Sequence, residues 1–235
     1  MSQRDTVERI IGRLHGEYSR VAGVGAIKAR VEGLHGAALR QALKTVGYWD
    51  RALNRAVLDF YNGDIDASEF IDEMVRLIEE QFTRAWNEGA RDVGYGPEDY
   101  TEDDKAELQD HIDKELEFVL DYAEGIESAK LNGDPVKPYQ ERIVLWTNRY
   151  NEMVNEGRIW FGKNQRLVWR LGKTEQHCST CATLNGIVAT ARQWEESGYH
   201  PQGAPNDKLE CGGWRCDCSL ELTREPLTEG GIPDA

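Results

Sequence analysis

The sequence predicts an α+β protein that is predominantly α, a helical body carrying a small C-terminal cysteine-rich β lobe. Three observations predict it. Apolar residues recur three or four apart from about Tyr48 to Trp160, the period changes to alternation after Gly162, and all five cysteines fall between Cys178 and Cys218. The expected organisation is a helical body over 1–135 with a basic N-terminal segment and an acidic middle. A long helix with the cysteine-rich lobe follows over 136–223, then a flexible tail over 224–235.

The helices can be taken in order. Trp49, Leu53, Ala56, Val57 and Phe60 share one helical face, and "NGDIDASEF" ends that helix at Gly63. Asp66 followed three residues later by Glu69 is a capping box opening the next helix, whose inner stripe is Phe70, Met74, Val75, Ile78, Phe82 and Trp86. "DVGYGPED" stops it. Thr101 then caps a helix whose first turn holds Glu102, Asp103 and Asp104, the charges that a helix N-terminus favours. Ile112, Leu116, Val119, Ala123 and Ile126 carry it to about Leu131. "NGDPVKP" is the clearest boundary, and a further helix from Pro138 to about Trp160 presents Ile143, Trp146, Tyr150 and Met153. Before Tyr48, Gly23, Gly25, Gly33 and Gly36 interrupt the pattern, so broken helices are expected there.

Beyond Gly162, "RLVWRLG" alternates with Leu167, Trp169 and Leu171 on one side, and "CSLELT" alternates with Leu220 and Leu222 inward. Turns fill the interval, at Asn185-Gly186 and in "HPQGAPND". Trp169 and Trp214 are expected to pack around the lobe.

Charge limits the partners. The formal net charge of −14 is unevenly spread: residues 1–55 carry ten Lys/Arg against five Asp/Glu, residues 56–135 six against twenty-four. The acidic middle is a poor surface for nucleic acid, which is bound by neutralising phosphates. The N-terminal segment, with Arg4, Arg9, Arg13, Arg20, Lys28 and Arg30, is the basic region. It reads either as a solvated helix face or as a dock for an acidic partner or packaged DNA. No apolar run approaches the roughly 18 residues of a membrane span and "MSQRDTVERI" lacks the apolar stretch of a secretory signal, so a soluble protein made in the cytosol is expected, with no membrane partner.

Cys178-x-x-Cys181 has metal-knuckle spacing, and Cys211, Cys216 and Cys218 supply a second set far enough along the chain to close a loop. A zinc site is expected from four of these five, Cys178 and Cys181 with two of Cys211, Cys216 and Cys218. Four sulfur ligands leave no place for water, so the zinc would be structural, stapling a lobe with little core of its own. Buried thiols, disulfides and a redox pair are the other readings. The redox one is opposed because "HCSTCATLNG" is expected to lead into a turn, not to open the helix of a βαβ unit.

Catalytic motifs are few. The chain has no complete GxxxxGK[ST] phosphate-binding motif, no GxSxG and no HExxH. His111, four residues after Glu107, reads as part of a solvated helix face. His200, Asn206 and Cys211 are loosely ordered like a histidine-finger nuclease, but a second, adjacent histidine is missing.

The run "VWRLGKTEQHCSTCATLNGIV", a proline-bearing spacer with Pro201 and Pro205, and "CGGWRCDCSLEL" resembles the C-terminal part of the minor head, or head morphogenesis, proteins of tailed bacteriophages, the Mu-F-like family. The parts that match are the helix from Pro138, the Cys178/Cys181 knuckle, Leu184-Asn185-Gly186 and the closing Cys216-Asp217-Cys218. The likeness is best over 138–222, looser over the helices from 66, and silent before about residue 60. Two stretches depart from the family pattern: Trp146-Thr147-Asn148-Arg149 stands where an Arg-Thr-Glu is usual, and Cys211-Gly212-Gly213-Trp214 where a histidine is usual, which would put Cys211 in that histidine's place as a ligand. The resemblance implies a non-enzymatic virion component, assembled in the host cytoplasm, that works with phage portal or capsid protein and touches packaged DNA in some members. A zinc-stapled nuclease and a host zinc-lobe interaction module are the alternatives.

Overall fold

The computed structural model describes residues 37–172, 176–214 and 216–234, with side chains from Gly47 onward. The basic segment expected to meet DNA or an acidic partner, and the broken helices expected around Gly23–Gly36, lie outside the described residues. The elements run α1 (Ala37–Asn62), α2 (Ala67–Asp92), a short 3-10 turn at Pro97–Asp99, α3 (Glu102–Asn132), α4 (Lys137–Gly162), β1 (Arg166–Arg170), α5 (Ser179–Leu184), β2 (Val188–Thr190), α6 (Ala191–Ser197) and β3 (Ser219–Leu222). The mostly α, α+β class read from the sequence is the observed one.

The helix ends form where the cap residues stand. Asp66 accepts the Glu69 N–H and Glu69 accepts the Asp66 N–H, both at 2.9 Å, a reciprocal pair opening α2. Thr101 and Asp104 do the same for α3. Gly133, at φ +75° where a side chain would be strained, closes α3.

α2 is the central helix. It packs on α1, α3 and most extensively on α4. That last contact depends on two glycines: a Cβ on Gly89 would lie 2.3 Å from the Val154 carbonyl oxygen, and one on Gly157 would lie 2.7 Å from that of Trp86. Around this crossing Phe70, Met74, Ile78, Phe82 and Trp86 meet Ile143, Trp146, Tyr150 and Met153, all buried. Half-buried Val75 yields its expected core place to Leu77, which is fully buried. Gln81, inside this core, donates to the Trp146 carbonyl at 2.7 Å and fastens α2 to α4.

The lobe is an antiparallel sheet of order β2-β1-β3, with Leu167 opposite Ala189 and Trp169 opposite Leu220. Leu167, Trp169, Leu184, Trp194, Leu209 and Leu220 form its own core, and the Trp169 and Trp194 rings lie 5.6 Å apart. Ile159 of α4 joins that core, so α4 serves both regions. The interval expected to hold turns contains α5, β2 and α6, and three side chains of the lobe also differ from expectation. Val168, on the face expected to be polar, is buried, because the sheet is covered on both sides there. Leu222, expected inward, is 49% exposed although it lies opposite buried Leu167, since it ends the edge strand β3. Trp214 is half-buried on a groove wall, leaving Trp194 as the second core indole.

The 224–234 segment, expected as a flexible tail, hydrogen-bonds along the sheet. Thr228 N–H donates to the Val188 carbonyl at 2.9 Å, Val188 N–H donates to Thr228 Oγ1 at 2.8 Å, and Arg170 pairs with Glu225 at 2.8 Å. Among the described residues no helix is long and apolar enough to cross a membrane.

Candidate metal centre

The five cysteines converge from three places. Cys178 is the N-cap of α5, where its Sγ accepts the Cys181 N–H at 3.3 Å. Cys181 points inward from the first turn of that helix, Cys211 sits on the 206–214 loop, and Cys216 and Cys218 lie just before β3. Loop and helix are clasped by Glu210, which accepts from Ser179 N–H at 2.7 Å and from its hydroxyl at 2.6 Å; these bonds hold the exposed Glu210 carboxyl below the usual carboxylate range. Gly172 lets the end of β1 approach the closing segment, since a Cβ there would lie 2.2 Å from the Asp217 carbonyl oxygen.

The sulfurs form two triads that share Cys181: Cys178, Cys181 and Cys211 in one, Cys181, Cys216 and Cys218 in the other, each with its sulfurs within 4.8 Å of one another. All five thiols are free. The Sγ atoms of Cys181 and Cys216 are 3.7 Å apart. With a Zn–S bond of about 2.3 Å, the edge of a regular tetrahedron of sulfurs is about 3.8 Å, so the Cys181–Cys216 pair has the spacing of two thiolates on one ion, and either triad could hold a metal.

Electrostatics in the cluster are divided. Hydrogen bonding of Cys181 to the sulfurs of Cys211, Cys216 and Cys218, with burial, pushes its thiol up. Cys218 is pulled down, first by hydrogen bonds from Cys181 and Cys216 and then by the Gly172 N–H and the Trp169 ring. Cys211 is raised because Cys216 and burial outweigh the hydrogen bond from Cys181. A cluster that holds part of its negative charge on buried sulfur is the setting in which a cation is favoured.

One argument against a redox pair does not stand: Cys178-x-x-Cys181 opens a helix and does not lead into a turn. That helix has six residues, and the strands on either side of it are antiparallel, so it is not part of a parallel βαβ unit.

A second group of ionisable residues lies where α3, α4 and the 198–206 loop meet, in a cleft of about 470 Å³ lined by both His111 and His200. His200 Nδ1 lies 2.7 Å from Glu156 Oε1. Burial opposes the charge on His200, but Glu156 overcomes it and raises the imidazole to about 9, while Glu156 itself is held down despite burial. His111, expected on a solvated face, is 19% exposed, with its ring 5.9 Å from Trp86, and burial lowers its pKa. Beside them Arg149 bridges Glu115 at 3.1 Å, Glu152 at 2.5 Å and the Ala204 carbonyl at 2.7 Å. Burial raises both carboxyls, Glu152 to about 7.

Arg149, Glu152 and Glu156 went unnoticed in the sequence because charges three and four apart usually mark a solvated face. Here the lobe covers that face. Of the nuclease-like trio, His200 is engaged by Glu156. Asn206 braces its own loop, donating to the Gly198 carbonyl and accepting from Lys208 N–H, and Cys211 belongs to the sulfur cluster.

The fold and site define a helical protein with a small antiparallel lobe in which five free cysteines cluster. Compared with protein families, with curated proteins and with solved structures, the chain matches none.

Proposed function

We propose that this chain is a minor head protein of a tailed bacteriophage, a non-enzymatic component acting in head assembly at the portal or inner capsid, with its lobe stapled by one zinc ion. The supporting observation is the convergence of the Cys178/Cys181 knuckle at the start of α5 with Cys211 and with Cys216-Asp217-Cys218 at the start of β3, downstream of the long helix α4. These are the parts, in the order, on which the resemblance to the Mu-F-like family rests.

Bound zinc supplies a tetrahedral cross-link with no open position for water. Cys178 and Cys181 hold it from α5, and two of Cys211, Cys216 and Cys218 hold it from the closing side. The chain's own work is to bring the two sides together: Glu210 clasps the loop to α5, and Gly172 admits the closing backbone.

The functional test is co-expression with the portal protein of the phage genome that encodes the chain. Co-purification with portal, and a place for the chain at the portal vertex of assembled heads, is the expected result. Heads that assemble and package normally without the chain would refute the reading.

A nuclease reading is favoured by one observation: His111 supplies, in the same cleft, the second histidine that His200 lacks in the sequence. Six glutamates line that cleft against one lysine, one arginine and the protonated His200, a balance that still repels phosphodiesters, so the assembly reading is preferred. Cleavage of plasmid DNA that is lost in His200→Ala would reverse this preference.

A further inference from the structure

α3 and α4 are consecutive helices joined by a tight connection at Gly133–Val136, yet both pack on α2 more than on each other. The gap left between them is a groove of about 740 Å³ lined at one end by Gln202, Ala204, Gly213, Trp214 and Cys216. We propose that this groove is a docking site for a basic amphipathic helix of a partner protein.

Length is the first argument. The α3 wall runs from Glu115 to Leu131, about 24 Å at 1.5 Å per residue, which matches about four turns of a bound helix. Its groove-facing positions, Phe118, Asp121, Gly125, Ser128 and Leu131, recur three or four apart, so a single face of α3 lines the full length.

The lining chemistry is the second. Phe118, Tyr139, Leu145 and Trp214 are half-buried along the groove, and Leu131 at its mouth is 81% exposed, the most exposed large apolar side chain among the described residues. An apolar stripe left open to water in this way is the pattern of a helix-in-groove interface.

Charge selects the partner. Asp121, Glu124 and Glu127 edge the α3 wall, and Glu124 and Glu127 have no ion-pair partner among the described residues. The two basic residues of the groove are already committed, Arg142 over the Tyr122 ring and Arg149 to Glu115 and Glu152. The groove therefore offers unneutralised negative charge beside apolar surface, which a helix with lysines or arginines flanking an apolar stripe complements. The inference does not rest on the viral assignment, since it names a surface and a partner chemistry that stand whatever the role of the chain.

The experiment uses the full-length, metal-loaded protein and two labelled synthetic helices of about four turns. One carries leucines on one face and lysines on the other, and its counterpart has every lysine replaced by glutamate. Fluorescence anisotropy is expected to show the lysine helix bound at least about tenfold more tightly than the glutamate helix. Leu131→Glu, and the double variant Glu124→Lys with Glu127→Lys, are expected to weaken that binding about tenfold while circular dichroism and melting stay unchanged, because these side chains lie at the groove edge. Equal binding of the two helices, or binding unaffected by the variants, overturns the proposal. So does binding that appears only after residues 1–36 are removed, which would give the groove to the chain's own N-terminal segment. A concentration-dependent dimer that Leu131→Glu abolishes in sedimentation would give it to a second copy, and also overturns the proposal.

Discussion

The helical body and the cysteine lobe solve the same problem with different materials. In the body, helices of 26 to 31 residues present long apolar stripes, and Leu53, Phe70, Met74, Leu77, Ile78 and Ile126 are removed completely from solvent. In the lobe the strands have five, three and four residues, too short for such a stripe, and two members of its core are themselves cysteines, Cys181 and Cys218. Short sheets of this size are marginal in water without a further tie. Under the proposed zinc staple, the difference teaches where a cross-link is needed: where secondary structure is long, burial suffices, and where it is short, a metal held by the sulfurs would take over.

Removing the cysteine shared by both triads breaks the comparison most severely. Cys181→Ser is expected to abolish metal binding and unfold the lobe, a loss on the order of 10 kcal/mol of metal-coupled folding free energy. Near-ultraviolet dichroism from Trp169 and Trp194 should vanish while the far-ultraviolet helix signal of the body persists. Because the proposed site takes two of Cys211, Cys216 and Cys218 beside Cys178 and Cys181, one of these three should be replaceable by serine with the metal content kept at one per chain. If Cys181→Ser retains its zinc and its near-ultraviolet signal, the staple is wrong.

The body has its own point of failure at the α2–α4 crossing. Gly89→Ala places a methyl group against the Val154 carbonyl and is expected to cost about 3 kcal/mol in urea unfolding, with the metal content unchanged. A loss of zinc in this variant would mean that the two regions are one cooperative unit.

The His200–Glu156 pair joins body to lobe, and its contribution should depend on pH. His200 is raised from the ordinary value near 6.5 to about 9, so the native state binds the extra proton between these values and stability falls as pH rises through that window. Glu156 is lowered, so its contribution is present above the usual carboxylate range and fades in acid. His200→Gln should therefore cost most near pH 6, about 1–3 kcal/mol, and almost nothing above pH 9, measured by denaturant titration across pH. A cost independent of pH would assign His200 a packing role only.

The smallest effect belongs to a cap. Asp66→Ala removes the acceptor for Glu69 N–H and should lower body stability by about 1 kcal/mol, leaving the lobe's metal site intact.

Much of the body was legible because its signals are local. The Asp66/Glu69 and Thr101/Asp104 caps appear as read, and Ile143, Trp146, Tyr150 and Met153 are buried as their spacing implied. The cysteines were legible as a group because Cys-x-x-Cys and Cys-x-Cys are short-range patterns. His111 was misread because the residues that bury it, Trp86 among them, come from another helix. Leu222 was misread because alternation fixes a face but not where the cover over that face ends.

By itself the sequence determined where the body's helices after about Tyr48 start and stop, which of their faces turn inward, and that the cysteines belong to one lobe, because caps, periodicity and short spacings act over a few residues. Only the tertiary structure decided that Gly89 meets Gly157, that Cys181 is common to both sulfur triads, that the Arg149–Glu152–Glu156 face is roofed by the lobe, and that α3 and α4 stand apart around a groove. These depend on the distance between residues far apart in the chain, and that distance is set by how whole elements pack.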